Sequence, residues 1–80
     1  MDFHLFKKFD KFTQIELTLE KGVIVGTRIH YDNPVFLFSL DKFYVELTCL
    51  EDEGEILSIL ISDDLDILNP YLSSIELPEF

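Results

Sequence analysis

Eighty residues with 48% hydrophobic side chains, eight Phe and three Gly suit one small folded domain, 1–80, and are too apolar for a disordered acidic tail. A formal net charge of −10 at pH 7 excludes direct nucleic-acid binding and attachment to an anionic membrane surface, both of which need a cationic patch. One cysteine, Cys49, excludes an intramolecular disulfide, and no Cys/His cluster offers zinc, so oligomerisation is the remaining aid for a core this small.

Phe3, Leu5, Phe6, Phe9 and Phe12 fall on one side of a helix, which predicts a short amphipathic helix over 2–12. The N-terminus lacks the basic-then-apolar order of a signal peptide, and the longest apolar runs fall far below the ~20 residues a membrane span needs. With a lone thiol, the expectation is a cytoplasmic protein. Ile15, Leu17 and Leu19 then alternate with Gln14, Glu16, Thr18 and Glu20, a period of two that predicts a half-exposed strand over 13–20. A rival reading continues the helix to Glu20 and stops it at Gly22. Lys21-Gly22 makes a turn on the first reading, and Val23–His30 is the next strand, with Gly26 marking a bulge or bend.

Asp32-Asn33-Pro34 breaks the chain by turn chemistry. Strands are predicted at Val35–Leu40 and Phe43–Leu50, then at Glu55–Ser62 after the loop Glu51-Asp52-Glu53-Gly54. Asp63-Asp64 caps a turn or short helix through Leu68, and Asn69-Pro70 opens a last helix to Ile75. The predicted class is α+β: an antiparallel meander of four to five strands with short N- and C-terminal helices. Val35–Phe38 and Glu55–Ser62 are apolar on both faces. If the terminal helices cover one face, the other meets either a second copy of the chain or the same sheet curled onto itself.

Cations and anions are unevenly placed. Lys7, Lys8, Lys11, Lys21, Arg28 and Lys42 balance six acids in residues 1–42, whereas residues 43–80 hold ten acids and no cation. Random placement of six cations gives this split roughly one time in fifty. Glu46, Glu51, Asp52, Glu53, Glu55, Asp63, Asp64 and Asp66 are the expected partner-binding acidic face. The sharpest form of that reading is a nucleic-acid mimic, which requires these carboxylates to form one stripe.

Other chemistry is weakly signalled. The loop 51–55 offers oxygen ligands to a hard cation but lacks the spacing of an EF-hand, with Leu60 where its last Glu belongs. His4 and His30 have no metal spacing, Cys49 reads as a structural thiol beside Val45 and Leu47, and no nucleophile elbow or phosphate loop is present. No catalytic residues, metal or cofactor are assigned, and the chain is not expected to be an enzyme. Residues 37–77 carry Leu37-Phe38-Ser39-Leu40 through Phe43-Tyr44-Val45-Glu46-Leu47, and Pro70-Tyr71-Leu72 to Ile75 and Leu77. In this the chain resembles small uncharacterised bacterial proteins with an Leu-x-Ser-Leu-x-x-Phe-Tyr-Val-Glu-Leu strand and a closing Pro-Tyr-Leu-x-x-Ile-x-Leu segment; the resemblance implies a hairpin followed by a C-terminal helix and transfers no activity.

The function expected from the sequence is therefore a small acidic protein-interaction module. It would be homodimeric and bind a basic protein partner, in the manner of an antitoxin, immunity protein or inhibitor. The alternatives are a divalent-cation-binding or small enzymatic domain built on the loop 51–55, and a structural domain whose acidity serves solubility alone.

Overall fold

The computed structural model describes residues 1–51 and 54–72. Asp2 accepts the Leu5 amide at 3.2 Å and opens helix α1, Phe3–Lys8. The chain becomes extended at Phe9 and Asp10, and Asp10 accepts the Thr13 amide at 3.2 Å to start α2, Lys11–Lys21. The single helix expected over 2–12 is thus two helices, separated by a second capping aspartate.

Residues 13–20 are helical, which corrects the strand expected there. The Ile15, Leu17, Leu19 alternation does not track burial, because the buried positions are Gln14 and Thr18, four residues apart. Their polar groups are satisfied locally. Gln14 Nε2 donates to the Phe6 carbonyl at 3.1 Å, and Thr18 Oγ1 donates to the Gln14 carbonyl at 2.7 Å. Two polar residues can therefore face inward without the cost of an unmade hydrogen bond. Gly22 closes α2 with its amide on the Thr18 carbonyl at 2.8 Å. A side chain there would meet that oxygen at 2.5 Å and the Phe38 ring at 3.1 Å, so the close approach of helix to sheet requires glycine.

Four strands follow: β1 Val23–His30, β2 Asn33–Leu40, β3 Phe43–Cys49 and β4 Ile56–Ser62. They form one antiparallel sheet in the order β1-β2-β3-β4, the expected meander, and the class is α+β. Tyr31 and Asp32, both at positive φ (50° and 68°), form the two-residue turn between the paired residues His30 and Asn33. Pro34 lies inside β2, not in the break expected there. It is tolerated because the pairing of β2 with β3 begins only at Val35 opposite Thr48. The register slips between Ile24 and Gly26, so a bulge falls at Val25.

Each face of the sheet has its own cover. Phe36, Phe38, Leu40, Phe43, Val45 and Leu47 share the face beneath the N-terminal helices, where Phe6 is fully buried with its ring 5.1 Å from that of Phe43. Val35 and Leu37 project from the opposite face and are equally buried. That second face is covered by the chain's own C-terminal segment: a 3₁₀ turn, Leu65–Leu68, opened by Asp64, then α3, Asn69–Leu72. The uncovered face that the sequence suggested for a second copy is therefore occupied over β1 to β3. The part of the last helix expected beyond Leu72 lies outside the described residues, as does the extended segment 77–80.

Candidate functional site

Because the strands pair in chain order, the charge asymmetry of the sequence becomes an asymmetry across the sheet. β1 lies at one edge, and β4, flanked by acids, lies at the other. Glu51 and Glu55 are exposed in the β3–β4 loop, which the Leu50 amide closes on the Glu55 carbonyl at 2.7 Å. Asp63, Asp64 and Asp66 are exposed at the far end of β4. Asp64 also caps the following turn, accepting the Asp66 amide at 3.0 Å. Asp52 and Glu53 lie outside the described residues.

The structure does not bring these acids into one stripe. The seven residues of β4 separate the loop acids from the Asp63 group by about 20 Å. That exceeds two Debye lengths at physiological salt, about 8 Å each, so the two groups act on a partner as separate charges. A continuous phosphate-like row is absent among the described residues, and the nucleic-acid mimic loses its geometric basis. The exposed positions between the groups are two leucines and a serine: Leu57 is 44% and Leu60 54% exposed, with Ser58 between them.

Glu46 departs most from expectation. It was expected on the exposed acidic face, and it is 7% exposed. The fold withdraws it because Arg28 on β1, Glu46 on β3 and Tyr71 on α3 meet over the second face of the sheet. Arg28 Nη2 donates to Glu46 Oε1 at 3.2 Å, and the Tyr71 hydroxyl donates to Glu46 Oε2 at 2.6 Å. The Arg28 guanidinium also lies 5.6 Å from the centroid of the Tyr71 ring. This cluster bridges β1 and β3 across β2, with Val35 and Leu37 beneath.

The electrostatics of the cluster are mutual. Burial, then the hydrogen bond to Glu46, pushes the Tyr71 phenol up to about 12. Burial alone would loosen the proton on Arg28, but hydrogen bonding to Tyr71 and the charge of Glu46 outweigh it, so its pKa rises. Gly26 lies under the same ring: a Cβ there would be 2.8 Å from Tyr71 Cδ1. Sequence reading missed Arg28 and Tyr71. The one available signal was the only arginine in the chain, placed on the same face of its strand as Gly26.

Clefts flank the fold among the described residues. One of about 620 Å³ is lined by Met1, Asp2, His4, Asp41 and Asp63 among others. Asp2 there is committed to capping α1, and Asp41 pairs with the Met1 amino group. Another, of about 300 Å³, is apolar and crosses the sheet from Leu19 and Ile24 over Phe36 and Leu47 to Cys49 and Ile56. Burial pushes the Cys49 thiol up, away from the reactive thiolate. His4 and His30 are both exposed, with rings packed edge-on against Phe3 and Tyr31. Among the described residues no three His, Cys, Asp or Glu side chains are grouped to hold a metal ion.

No family model matches the chain, and neither a curated protein nor a solved structure matches it. Among the described residues no helix is long and apolar enough to cross a membrane.

Proposed function

We propose that the protein is an acidic interaction module that binds a basic protein through the β4 side of its sheet, in the manner of an antitoxin, immunity protein or inhibitor. One observation carries this reading: an exposed strand edge with apolar Leu57 and Leu60 is bracketed by Glu51 and Glu55 at one end and by Asp63, Asp64 and Asp66 at the other. An extended segment with an apolar centre and basic ends complements that edge, adding main-chain hydrogen bonds to two separate charge contacts. Self-association as a homodimer is the second part of the reading, motivated by the small size of the core. A lone thiol suits a reducing compartment such as the cytoplasm.

The test is calorimetric titration with a strand-forming peptide carrying lysines at both ends of an apolar core. Binding is expected to weaken steeply with added salt and to be lost on combined replacement Glu55→Gln, Asp63→Asn and Asp66→Asn. No binding at low salt, or binding indifferent to those replacements, overturns the basic-partner reading. Sedimentation equilibrium of the pure chain tests the homodimer.

A further inference from the structure

The β1 edge carries an unassigned surface. Val23, Ile24, Ile29 and Tyr31 are 65%, 55%, 68% and 85% exposed along the edge strand and its turn. An edge strand normally protects its unpaired amides and carbonyls with lysine, proline or an outward charge. β1 holds no lysine, proline or acid, and its single arginine is turned inward against Glu46. Its one defence is the bulge at Val25, which leaves Gly26–His30 in regular register with β2.

We propose that this edge is where two copies of the chain join, β1 pairing antiparallel with β1 of a second copy to extend the sheet. The inference rests on the homodimer reading above and gives it a location. Charge selects the occupant. A molecule of net charge −10 repels its own copy nearly everywhere, and most strongly at β4, whose two ends are acidic. Residues 21–32 carry only Lys21, Arg28 and Asp32 as formal charges, so here two copies approach without net negative repulsion.

The segment is also self-complementary, as a two-fold interface requires. Antiparallel pairing centred near Gly26 and Thr27 brings Lys21 of one copy to the same end of the seam as Asp32 of the other. Ile24, Thr27 and Ile29 lie on the face of the sheet beneath α1 and α2. The apolar cleft on that face has Leu19 and Ile24 at its β1 end and runs across Phe36 and Leu47 to Ile56. The seam therefore adds the β1 ends of two apolar clefts to two rows of main-chain groups.

Sedimentation equilibrium of the full chain and two variants tests this. Ile29→Lys places a charge on an already exposed position, and Leu60→Lys does the same at the opposite edge. The chain and Leu60→Lys are expected to sediment as dimers, twice 9.4 kDa, while Ile29→Lys raises the dissociation constant by at least about tenfold with an unchanged circular dichroism spectrum. A monomeric parent chain overturns both the location and the homodimer reading. A dimer that survives Ile29→Lys overturns the location alone.

Discussion

Tyr71 holds the C-terminal segment by one phenol placed over the backbone of one glycine. The hydroxyl completes an acceptor pair on Glu46, and the ring occupies the space a side chain on Gly26 would take. Tyr71→Phe removes a buried, charge-assisted bond and is expected to cost about 1.5–3 kcal/mol in chemical denaturation. Gly26→Ala is expected to cost about 1–3 kcal/mol by overpacking. In a Gly26→Ala/Tyr71→Ala cycle the alanine penalty should largely vanish; simple additivity would show that the ring is not what opposes it.

The phenol also sets an alkaline signature. Its folded pKa of about 12 lies above its ordinary value of 10.0, so the unfolded chain loses this proton first as pH rises. The contribution is fully present below pH 10 and disappears between pH 10 and about 12. Denaturation midpoints across that window should fall more steeply for the parent than for Tyr71→Phe. Parallel curves would show that Tyr71 titrates as an ordinary exposed phenol.

At the scale of elements, the N-terminal helices are held by few but deep contacts. Phe6 is fully buried between Phe9 and Phe43. Phe6→Ala is expected to cost about 3–5 kcal/mol, a large part of the roughly 4–12 kcal/mol that a domain of this length commands. Thermal melting should find it the least tolerant position in α1. Turn chemistry made the β2, β3 and β4 strands legible in the sequence, with side-chain alternation adding to it in β3, since each has turn residues at its ends and a sheet partner next in line. For the 13–20 segment the sequence left two readings: the preferred strand rested on an accidental side-chain alternation, and the rival helix stopped at Gly22 is the one that Asp10 capping sets in place. Glu46 was misread for a related reason: a single strand shows which face a residue takes, but not that Arg28, two strands away, and Tyr71, on a later helix, close over it. Glu51, Glu55 and the Asp63 group were legible as exposed, because turn and capping positions demand solvent access.

Across the whole molecule, the meander converts sequence order into spatial order, so an imbalance of charge along the chain becomes a polarity between two edges. β1 is close to neutral and apolar; β4 is apolar with acidic ends. Association at β4 should therefore weaken with ionic strength, whereas association at β1 should not. Measuring both equilibria from low to high salt distinguishes the edges without mutation, and equal salt slopes would contradict the polarity.

The same connectivity has a kinetic consequence. Every strand pairs with its neighbour in sequence, so the sheet closes through short loops at low entropic cost and should form quickly. The Tyr71 contacts with Glu46 and Gly26 span 25 and 45 residues respectively, and they need both β1 and β3 in place first. Docking of the C-terminal turn is thus expected to come last on the folding route. By the same logic it is expected to open first, a local unfolding that would bare Val35 and Leu37 while the hairpins remain closed and that amide hydrogen exchange would detect.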